Sequence, residues 1–329
     1  MKILVTGGYG FIGSKIVEIL SNAKHDVRVM DNSETYGVIT KEDLKKLYKY
    51  RQRNWKKVHL SDGDVTNRDD VLKAFHSTTD IVIHLASYPR AKIVNANPML
   101  GVRNIVEGTV NLLWHCDKFK VKKFVFVSSS MIYGHFADGT KEDADSKPNN
   151  LYGESKLVAE RFTKHYHTHN GVEYNIVRPS GVYGPGDMDD RVLSKFFAKA
   201  MANQTIEVHD GSNKVDFTYV DDTANGFICA ANNDNNHGEV INLGYGKAIS
   251  IGETAELIMD IMNINKEITS ENSRIRPKNS EVIHLISDNK KAADLIKWNP
   301  KIPFREGLEK TIKFVETNID LFKTDTYSI

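Results

Sequence analysis

The first thirteen residues constrain the fold of this chain more than any other segment. A short apolar run, residues 2–6, leads directly into glycines at positions 7, 10 and 13, and residues 14–20 then follow a helical pattern. A strand, a glycine-rich turn and a helix in this order are typical of a dinucleotide site in a parallel sheet. The glycines alone do not exclude the alternative, which is an ordinary buried strand and turn.

Each glycine has a part in such a site. Gly7 permits the tight turn, Gly10 lets the backbone approach a pyrophosphate at the helix N-terminus, and Gly13 lets helix and strand pack closely. A second apolar run, residues 26–30, ends in Asp31. An acid about 20 residues after the glycines accepts hydrogen bonds from an adenosine ribose and repels a 2′-phosphate. The sequence therefore predicts NAD rather than NADP, bound by Gly7, Gly10, Phe11, Ile12, Gly13, Asp31 and Asn32.

Apolar runs and helical patterns alternate along the first half of the chain. This alternation predicts an α/β fold, a Rossmann-type doubly wound parallel sheet covered on both faces. Strands are expected at 2–6, 26–30, 57–60, 80–85, 122–128 and 173–178, and helices at 13–22, 67–76, 97–118, 150–169, 191–203, 221–231, 250–263 and 304–318. We expect residues 1–178 to form an NAD-binding domain, with 213–248 returning to it, and residues 179–329 to form most of a smaller substrate-binding domain.

Charge and cysteine content exclude several classes of protein. The 329 residues include 44 basic and 43 acidic side chains, so no overall charge favours nucleic acid or an anionic membrane. Only Cys116 and Cys229 are present, which gives no disulfide framework and suits a reducing compartment. No apolar stretch approaches the ~18 residues of a membrane span, and the N-terminus lacks the apolar core of a signal peptide. We therefore expect a cytoplasmic protein.

Two polar segments leave alternatives open. Residues 40–57 hold eight basic and two acidic residues interleaved with aromatic ones, a pattern that fits either a nucleic-acid contact or an inserted, solvated helix. The neutral remainder of the chain favours the helix. His165, His167 and His169 have the spacing of metal ligands, but no Cys or acid joins them before Gly171. Because histidines also stabilise a helix C-terminus, we predict no metal site.

A tyrosine and a lysine, Tyr152 and Lys156, stand four residues apart in a predicted helix and therefore share one face. A phenol with a pKa of about 10 is a poor base at neutral pH, but a neighbouring ammonium favours the phenolate. Such a tyrosine can exchange a proton with a substrate hydroxyl. A serine cluster, residues 128–130, follows a predicted strand, and parallel sheets bind ligands at the carboxyl ends of strands. We expect the cluster and the helix to meet near the nicotinamide.

These features together resemble the extended short-chain dehydrogenases/reductases, and within them the nucleotide-sugar epimerase/dehydratase family. The resemblance covers nearly the whole chain in order, through motifs at residues 6–13, 63–65, 84–87, 128–134, 152–156, 178–186, 216–222, 276–277, 298–301 and 306–308. It implies bound NAD, a nucleotide-sugar substrate and a homodimer paired through the helices near 97–118 and 150–169. Candidates for the apolar face of that dimer are Leu112, Leu113, Leu157 and Val158.

The resemblance also implies roles for individual residues. Tyr152 would be the acid/base, Lys156 would bind the nicotinamide ribose and lower the pKa of Tyr152, and Ser129 would hydrogen-bond the reacting hydroxyl. Further cofactor contacts would come from Asp64, Val65, Leu85, Ala86, Ser87 and Pro179. The substrate would be contacted by Ser130, Arg191 and Arg276. Arginine suits a diphosphate because it binds in a bidentate manner, although a surface salt bridge is the alternative for either arginine.

Departures from the family pattern narrow the reaction. Family dehydratases carry Asp-Glu directly after the serine or threonine, and decarboxylases keep a Glu there, but this chain has Ser130 and Met131. Without an acid at these positions we expect neither dehydration nor decarboxylation. Val215 stands where the family has an arginine and Gly181 where asparagine is frequent, which loosens the match to standard hexose substrates. For Arg90, contact with an acidic sugar group and exposure to solvent are both open.

We therefore expect an NAD-dependent epimerase of a nucleotide-diphosphate sugar, acting at C4 through a transient 4-keto intermediate. A net 4-ketoreductase or dehydrogenase would use the same three residues, so the sequence leaves this alternative open. A non-catalytic NAD-binding sensor is a more distant alternative. The intact set of Ser129, Tyr152 and Lys156 argues against the sensor. The nucleotide base and the sugar are not specified by the sequence.

Overall fold

A computed structural model of the chain describes residues 1–35, 39–88, 91–134, 138–187, 191–208, 211–233, 236–265, 268–270 and 284–322. The expected substrate contact Arg276 and the loop residue Arg90 lie outside these residues. In the part of the chain so described, no helix is long and apolar enough to cross a membrane.

The secondary structure alternates between strands and helices over the first half of the chain. The strands are β1 (Lys2–Thr6), β2 (Asp26–Asp31), β3 (Val58–Asp62), β4 (Ile81–His84), β5 (Lys123–Val127), β6 (Tyr174–Pro179), β7 (Gly181–Tyr183), β8 (Ile206–Val208), β9 (Lys214–Val215), β10 (Phe217–Tyr219), β11 (Glu239–Leu243), β12 (Ile249–Ser250), β13 (Ile268–Ser270) and β14 (His284–Leu285). The α-helices are α1 (Phe11–Asn22), α2 (Lys41–Gln52), α3 (Arg68–Ala74), α4 (Ala91–Ala96), α5 (Pro98–Val102), α6 (Gly108–Phe119), α7 (Leu151–Asn170), α8 (Val192–Met201), α9 (Val220–Asn232), α10 (Ile251–Ile261), α11 (Lys290–Ile296) and α12 (Phe304–Thr317). Short 3₁₀ turns lie at Ser130–Tyr133 and Ile319–Leu321.

Seven parallel strands form the central sheet, in the order β3-β2-β1-β4-β5-β6-β11. The chain begins inside this sheet at β1, builds one way through β2 and β3, and then returns to build the other way from β4. Open parallel sheets bind ligands in the crevice at such a reversal of strand order. The sheet confirms the predicted doubly wound α/β fold. A ligand site is therefore expected at the carboxyl ends of β1 and β4.

Apolar burial on both faces stabilises the sheet. Val5 of β1 is fully buried and pairs with Val29 of β2 and Ile83 of β4. Helices α1, α9 and α11 cover one face, and α3, α6 and α7 cover the other. Burying one Val, Leu or Ile side chain contributes roughly 1.5–3 kcal/mol. Strands buried on both faces appear in the sequence as continuous apolar runs, and this made them predictable.

A third apolar cluster lies in the C-terminal part of the chain, where α8, α10 and α12 pack together with β8 and β10. Short strand pairs surround it: β10 pairs with β7, β8 with β13, and β9 with both β12 and β14. Residues 239–243 leave this region to form β11 beside β6 at the edge of the central sheet. The chain therefore passes between the central sheet and the third cluster more than once.

Some elements differ from those expected. The single helix expected over 97–118 is divided into α5, a π-helical segment at Arg103–Glu107, and α6. An apolar repeat read over a few turns does not distinguish a π turn from an α turn, so the sequence could not show this break. The sequence also gave no expectation for β11, α4 or α11. Each is seven residues long or shorter, and such segments carry too few repeats to be recognised.

Candidate active site

A cleft runs along the carboxyl edge of the central sheet. Its cavity volume is about 310 Å³, within the roughly 300–1,000 Å³ that is usual for a ligand pocket. The expected site residues that line it are Gly7, Gly10, Phe11, Ile12, Gly13, Asp31, Leu85, Ala86, Ser87, Ser129, Ser130, Tyr152, Lys156, Pro179 and Arg191.

Three expected cofactor residues lie beside the cleft and do not line it. Asn32 follows Asp31 and donates its amide to a carboxylate oxygen of Asp64 over 3.0 Å. Although burial opposes ionisation of Asp64, hydrogen bonds from Thr66 and Asn32 hold its pKa below the usual range. Val65 is buried, 3% exposed, in the core under the sheet. Direct contact of these residues with a cofactor stays a prediction.

The glycine-rich loop between β1 and α1 has donors that fit a pyrophosphate. Gly7 has a φ of +72°, and a Cβ there would lie 2.7 Å from the backbone nitrogen of Ala86, so only glycine fits. A Cβ on Gly13 would lie 2.2 Å from the Gly7 carbonyl oxygen. Helix α1 begins after Gly10, with no side-chain cap and no acid in its first turn. The backbone N–H groups of that turn and the helix dipole are therefore directed at an anion.

Asp31 is fixed at the carboxyl end of β2. One carboxylate oxygen accepts the backbone N–H of Tyr9 and the other that of Ser33, each over 2.9 Å. Burial raises the pKa of Asp31, while these two bonds and the nearby guanidinium of Arg51 oppose the rise. Because the carboxylate is held by the backbone of the glycine-rich loop, it occupies a defined position on the cleft wall.

The serine cluster and the Tyr152 helix meet at a close contact. Ser129 caps the 3₁₀ turn, its Oγ accepting the N–H of Met131 over 3.2 Å. Helix α7 begins after Asn150, whose side chain accepts the N–H of Gly153 over 2.9 Å. A Cβ on Gly153 would lie 2.7 Å from the carbonyl oxygen of Met131. Glycine at this position lets the first turn of α7, with Tyr152, approach the serine cluster.

Lys156 lies one turn beyond Tyr152 and is buried, 2% exposed. Its Nζ donates to the carbonyl oxygen of Val127 over 2.7 Å and lies 5.8 Å from the centre of the Tyr152 ring. Burial lowers the pKa of Lys156 to about 7, and the carboxylate of Glu160 acts in the opposite direction. The sequence analysis described an ammonium beside Tyr152, whereas burial in the structure brings the pKa of this lysine to about 7.

A buried ion pair holds α7 against the sheet, and the sequence analysis missed it. Glu160, one turn after Lys156, accepts two hydrogen bonds from Arg178 of β6, at 2.9 and 2.7 Å. Both side chains are at most 4% exposed. Ser128 also donates to Glu160, and Arg178 donates to Tyr133, which in turn donates to Asn242 of β11. The i+4 spacing of Glu160 from Lys156 was the available signal, since both residues share one helix face.

The basic insert forms part of the cleft wall. The expected solvated helix is present as α2, but one of its faces is buried and carries Leu44, Leu47 and Arg51. Leu44, Tyr48 and Arg51 line the cleft. The expectation of a solvated helix was therefore incomplete, because it did not recognise the apolar spacing of Leu44, Leu47 and Tyr48 as a buried face. Its exposed face keeps the lysines.

The cleft wall also contains Arg191, which forms an ion pair with Asp187 at 3.2 Å. Ser130 and Met131 line the cleft, in agreement with their place after Ser129. Glu142 is an acid near the serine cluster in sequence, but it lies outside the cleft wall. Its carboxylate accepts the N–H of Asn242, and its backbone carbonyl accepts a bond from Arg178. Neither Glu142 nor Asp143 is among the residues of the cleft wall.

The histidines at the end of α7 interact with each other. The rings of His165 and His169 stack with centroids 4.1 Å apart, and Nδ1 of His169 bonds to the carbonyl of His165. Among the described residues no group of three His, Cys, Asp or Glu side chains has the geometry to hold a metal ion.

Comparison with known families agrees with this geometry. A sequence model described as the NAD dependent epimerase/dehydratase family matches residues 3–244. The chain belongs to this family. The match contains the glycine-rich loop, the serine cluster, the Tyr152 helix and all seven strands of the central sheet.

Similar family members include 4-epimerases. The chain is 32% identical to a putative UDP-glucose 4-epimerase of Methanocaldococcus jannaschii, over 96% of this chain and 99% of that protein. It is 33% identical to a UDP-glucuronate 4-epimerase of Thermodesulfobacterium geofontis, over 98% of each. A crystal structure of UDP-glucuronic acid 4-epimerase from Bacillus cereus, in complex with UDP-glucuronic acid and NAD, is 27% identical with a TM-score of 0.87. That similarity covers 97% of this chain and 100% of the other.

The buried ammonium of Lys156 gives a prediction for stability without cofactor. Its pKa is about 7 in the folded protein against the usual 10.5 in the unfolded chain. Between these values the unfolded chain binds more protons, so this residue makes stability rise with pH. We expect Lys156→Met to be more stable than the parent below pH 7, by an amount on the order of a few kcal/mol. The advantage should shrink as pH approaches 10.5.

Urea unfolding at a series of pH values measures this difference. Lys164→Met is the matched control, because it removes an exposed lysine from the same helix and leaves the buried one in place. A difference between parent and Lys156→Met that stays constant across the whole range would contradict the burial of the charge.

Proposed function

We propose that this protein is an NAD-dependent epimerase that inverts C4 of a nucleotide-diphosphate sugar through a transient 4-keto intermediate. The observation that carries the proposal is the single cleft that joins the glycine-rich loop to Ser129, Tyr152 and Lys156. A dinucleotide held at the loop would extend its reactive end toward these three side chains. The named activities of the similar proteins, which are UDP-sugar 4-epimerases, support the same conclusion.

The proposed chemistry assigns one task to each residue of the set. Tyr152 takes the proton of the C4 hydroxyl and later returns it, while the hydroxyl of Ser129 hydrogen-bonds the same oxygen. Lys156 in its charged form lowers the pKa of the Tyr152 phenol and binds the nicotinamide ribose. NAD, when bound, would supply the redox chemistry as the hydride carrier for C4. Between the two proton transfers the cleft must hold the ketone while the ketone rotates to present its other face.

The remaining contacts divide between cofactor and substrate. We propose that Gly7, Gly10, Phe11, Ile12 and Gly13 bind the pyrophosphate region, that Asp31 and Asn32 bind the adenosine ribose and favour NAD over NADP, and that Asp64, Val65, Leu85, Ala86, Ser87 and Pro179 complete the dinucleotide site. Ser130, Arg191 and Arg276 are proposed to contact the nucleotide sugar. Arg191 and its ion-pair partner Asp187 both line the cleft. This position supports the proposed contact between Arg191 and the nucleotide sugar.

We propose the same division of the chain into domains as the sequence suggests: residues 1–178 with 213–248 for NAD, and most of 179–329 for the substrate. We also propose that the enzyme works in the cytoplasm. Its two cysteines, Cys116 and Cys229, are both free thiols, which fits a reducing compartment.

Replacing Tyr152 by phenylalanine tests the proposed proton transfer. The change keeps the ring and removes only the hydroxyl, so kcat should fall by about 10²–10⁴ while the protein still folds. Tyr174→Phe is a suitable control, because Tyr174 lies in the buried core beneath the sheet and away from the cleft. The measurement is turnover of UDP-sugars with circular dichroism of each variant. Activity of Tyr152→Phe within about threefold of the parent would refute the assignment.

The residues after Ser129 predict that substrate and product have equal mass. Eliminating water requires an acid for the leaving hydroxyl, and the dehydratase positions hold Ser130, a very weak acid, and Met131, which has no exchangeable proton. Mass spectrometry of products from a panel of nucleotide sugars measures this directly. A gain or loss of two hydrogens, with matching consumption of nicotinamide cofactor, would indicate the ketoreductase instead. Loss of water or carbon dioxide would overturn the proposed subclass.

We further propose a homodimer paired through the outer face of α6 and α7. Of the residues first considered for this face, Leu112 and Leu113 are fully buried against the sheet, while Leu157 and Val158 are half-buried. The outward positions are instead taken by Trp114 and Phe162, which are 36% and 39% exposed and border a surface groove. Leu112 and Leu113 lie on the side of α6 that packs against the sheet, so they cannot also contribute to an outward-facing dimer surface.

A charge on this face should separate the subunits. Phe162→Glu would place a carboxylate in an apolar interface, and we expect a monomer by light scattering at micromolar concentration where the parent is a dimer. Ile319→Glu is the control, since Ile319 is a comparably exposed apolar residue in the 3₁₀ turn whose Asp320 pairs with Lys46 of α2. A monomeric parent protein would disprove the dimer.

A further inference from the structure

Arg51 of the insert joins two loops that are far apart in the chain and meet beside the cleft. Its Nη1 donates to the carbonyl oxygen of Tyr9 in the glycine-rich loop over 2.8 Å. Its Nε and Nη2 both donate to the carbonyl oxygen of Gly186, over 2.9 and 2.8 Å. Gly186 lies in the turn that follows β7, next to the cleft residue Asp187. One side chain therefore links the cofactor loop to the loop that carries the substrate side.

The guanidinium is placed where a positive charge can act on a bound dinucleotide. Arg51 is 5% exposed, yet it lines the cleft beside Asp31 and the glycine-rich loop. Hydrogen bonds from a charged donor are stronger than neutral ones, and a fixed charge in a desolvated site acts on a nearby phosphate with little screening. Arginine keeps its charge at every pH at which proteins are folded.

The insert that carries Arg51 is itself fastened to the glycine-rich loop. The ring of Tyr48 packs on Tyr9 with centroids 5.1 Å apart, and Trp55 donates its indole N–H to the carbonyl of Ser14 in α1 over 3.0 Å. The middle of α2 and the segment that follows the helix thus cannot move far from the glycine-rich loop and α1 without breaking these contacts. Moving the loops at Tyr9 and Gly186 apart therefore requires the Arg51 bonds to break.

We propose that Arg51 is a latch that retains the dinucleotide, setting its rate of release by holding the loops at Tyr9 and Gly186 together. This inference rests on the proposed function only for the identity of the ligand, NAD. An epimerase returns the hydride within one catalytic cycle and therefore depends on a cofactor that stays bound through it. The bonds of Arg51 give this protein a physical means of retaining the cofactor. Arg51 lies in the insert, which has no part in the proposed proton transfers.

Replacing the latch should convert a retained cofactor into an exchanging one. Arg51→Met removes the charge and the bonds to Tyr9 and Gly186 but keeps an unbranched side chain, and we expect NAD to dissociate about 10- to 100-fold faster. Arg51→Lys keeps the charge with a single donor group and should give an intermediate rate. The rate is measured as replacement of bound NAD by isotopically labelled NAD, with mass spectrometry of the protein-bound fraction. A second readout is whether turnover requires added NAD.

Arg53→Met is the matched control. Arg53 follows Arg51 by two residues, and its replacement by methionine removes the same charge. The Arg53 side chain is exposed, packs its guanidinium 3.6 Å from the centre of the Tyr50 ring, and does not line the cleft. Its release rate should equal that of the parent. Circular dichroism and urea unfolding accompany every variant.

The outcomes separate the latch from the proposed function. A parent protein that binds no NAD would refute both. A parent that binds NAD, with Arg51→Met releasing it at the parental rate, would refute the latch alone. So would a loss of cooperative unfolding in both Arg51 variants, because Arg51 would then be needed for folding. Faster release in Arg51→Met and not in Arg53→Met, with turnover that recovers when NAD is added, is the result we expect.

Discussion

The buried ion pair between Glu160 and Arg178 is the interaction on which the geometry of the cleft depends. It joins α7 to β6 in the interior, and Ser128 extends the network to the end of β5. Removing one partner of such a pair leaves an uncompensated charge, which costs about 3–5 kcal/mol. The pair is thus a strong specifier of how α7 sits on the sheet. Tyr152 and Lys156 lie on that helix, so their position relative to Ser129 follows from it.

The same network accounts for the electrostatics around Lys156. The ammonium is buried, and it donates to the carbonyl oxygen of Val127, which carries only a partial charge. Glu160, one turn away, favours the charged form, but it is already engaged by Arg178 and Ser128. Burial consequently dominates and keeps the pKa of Lys156 about 7. The lysine is therefore sensitive to any ligand group that reaches it.

Sequence patterns predicted the parts of the structure that repeat or that follow a strand directly. The β1–α1–β2 unit was recognisable because each of its signals is local in the sequence. The apolar run indicates a buried strand, the spaced glycines indicate a tight turn, and Asp31 indicates a ribose contact. The cleft positions of Ser129, Tyr152 and Lys156 followed from strand ends meeting at one edge of a sheet. Arg51 could not be found in this way, because its partners are backbone carbonyls of residues 9 and 186, far away in the chain. The burial of Leu112 and Leu113 likewise depends on which side of α6 meets the sheet.

Gly153 has a consequence for how this site can change over evolutionary time. The first turn of α7 touches the turn after β5 through backbone atoms, with the Met131 carbonyl where a side chain at position 153 would begin. Any larger residue there would lift that turn outward, whereas Lys156 and Glu160 further along stay anchored to β5 and β6. Tyr152 would then move away from Ser129 while the lysine kept its place. Under the proposed roles of Tyr152 and Lys156, a single methyl group at this position would separate proton transfer from cofactor binding and leave a protein that holds a dinucleotide but performs no reaction on a sugar.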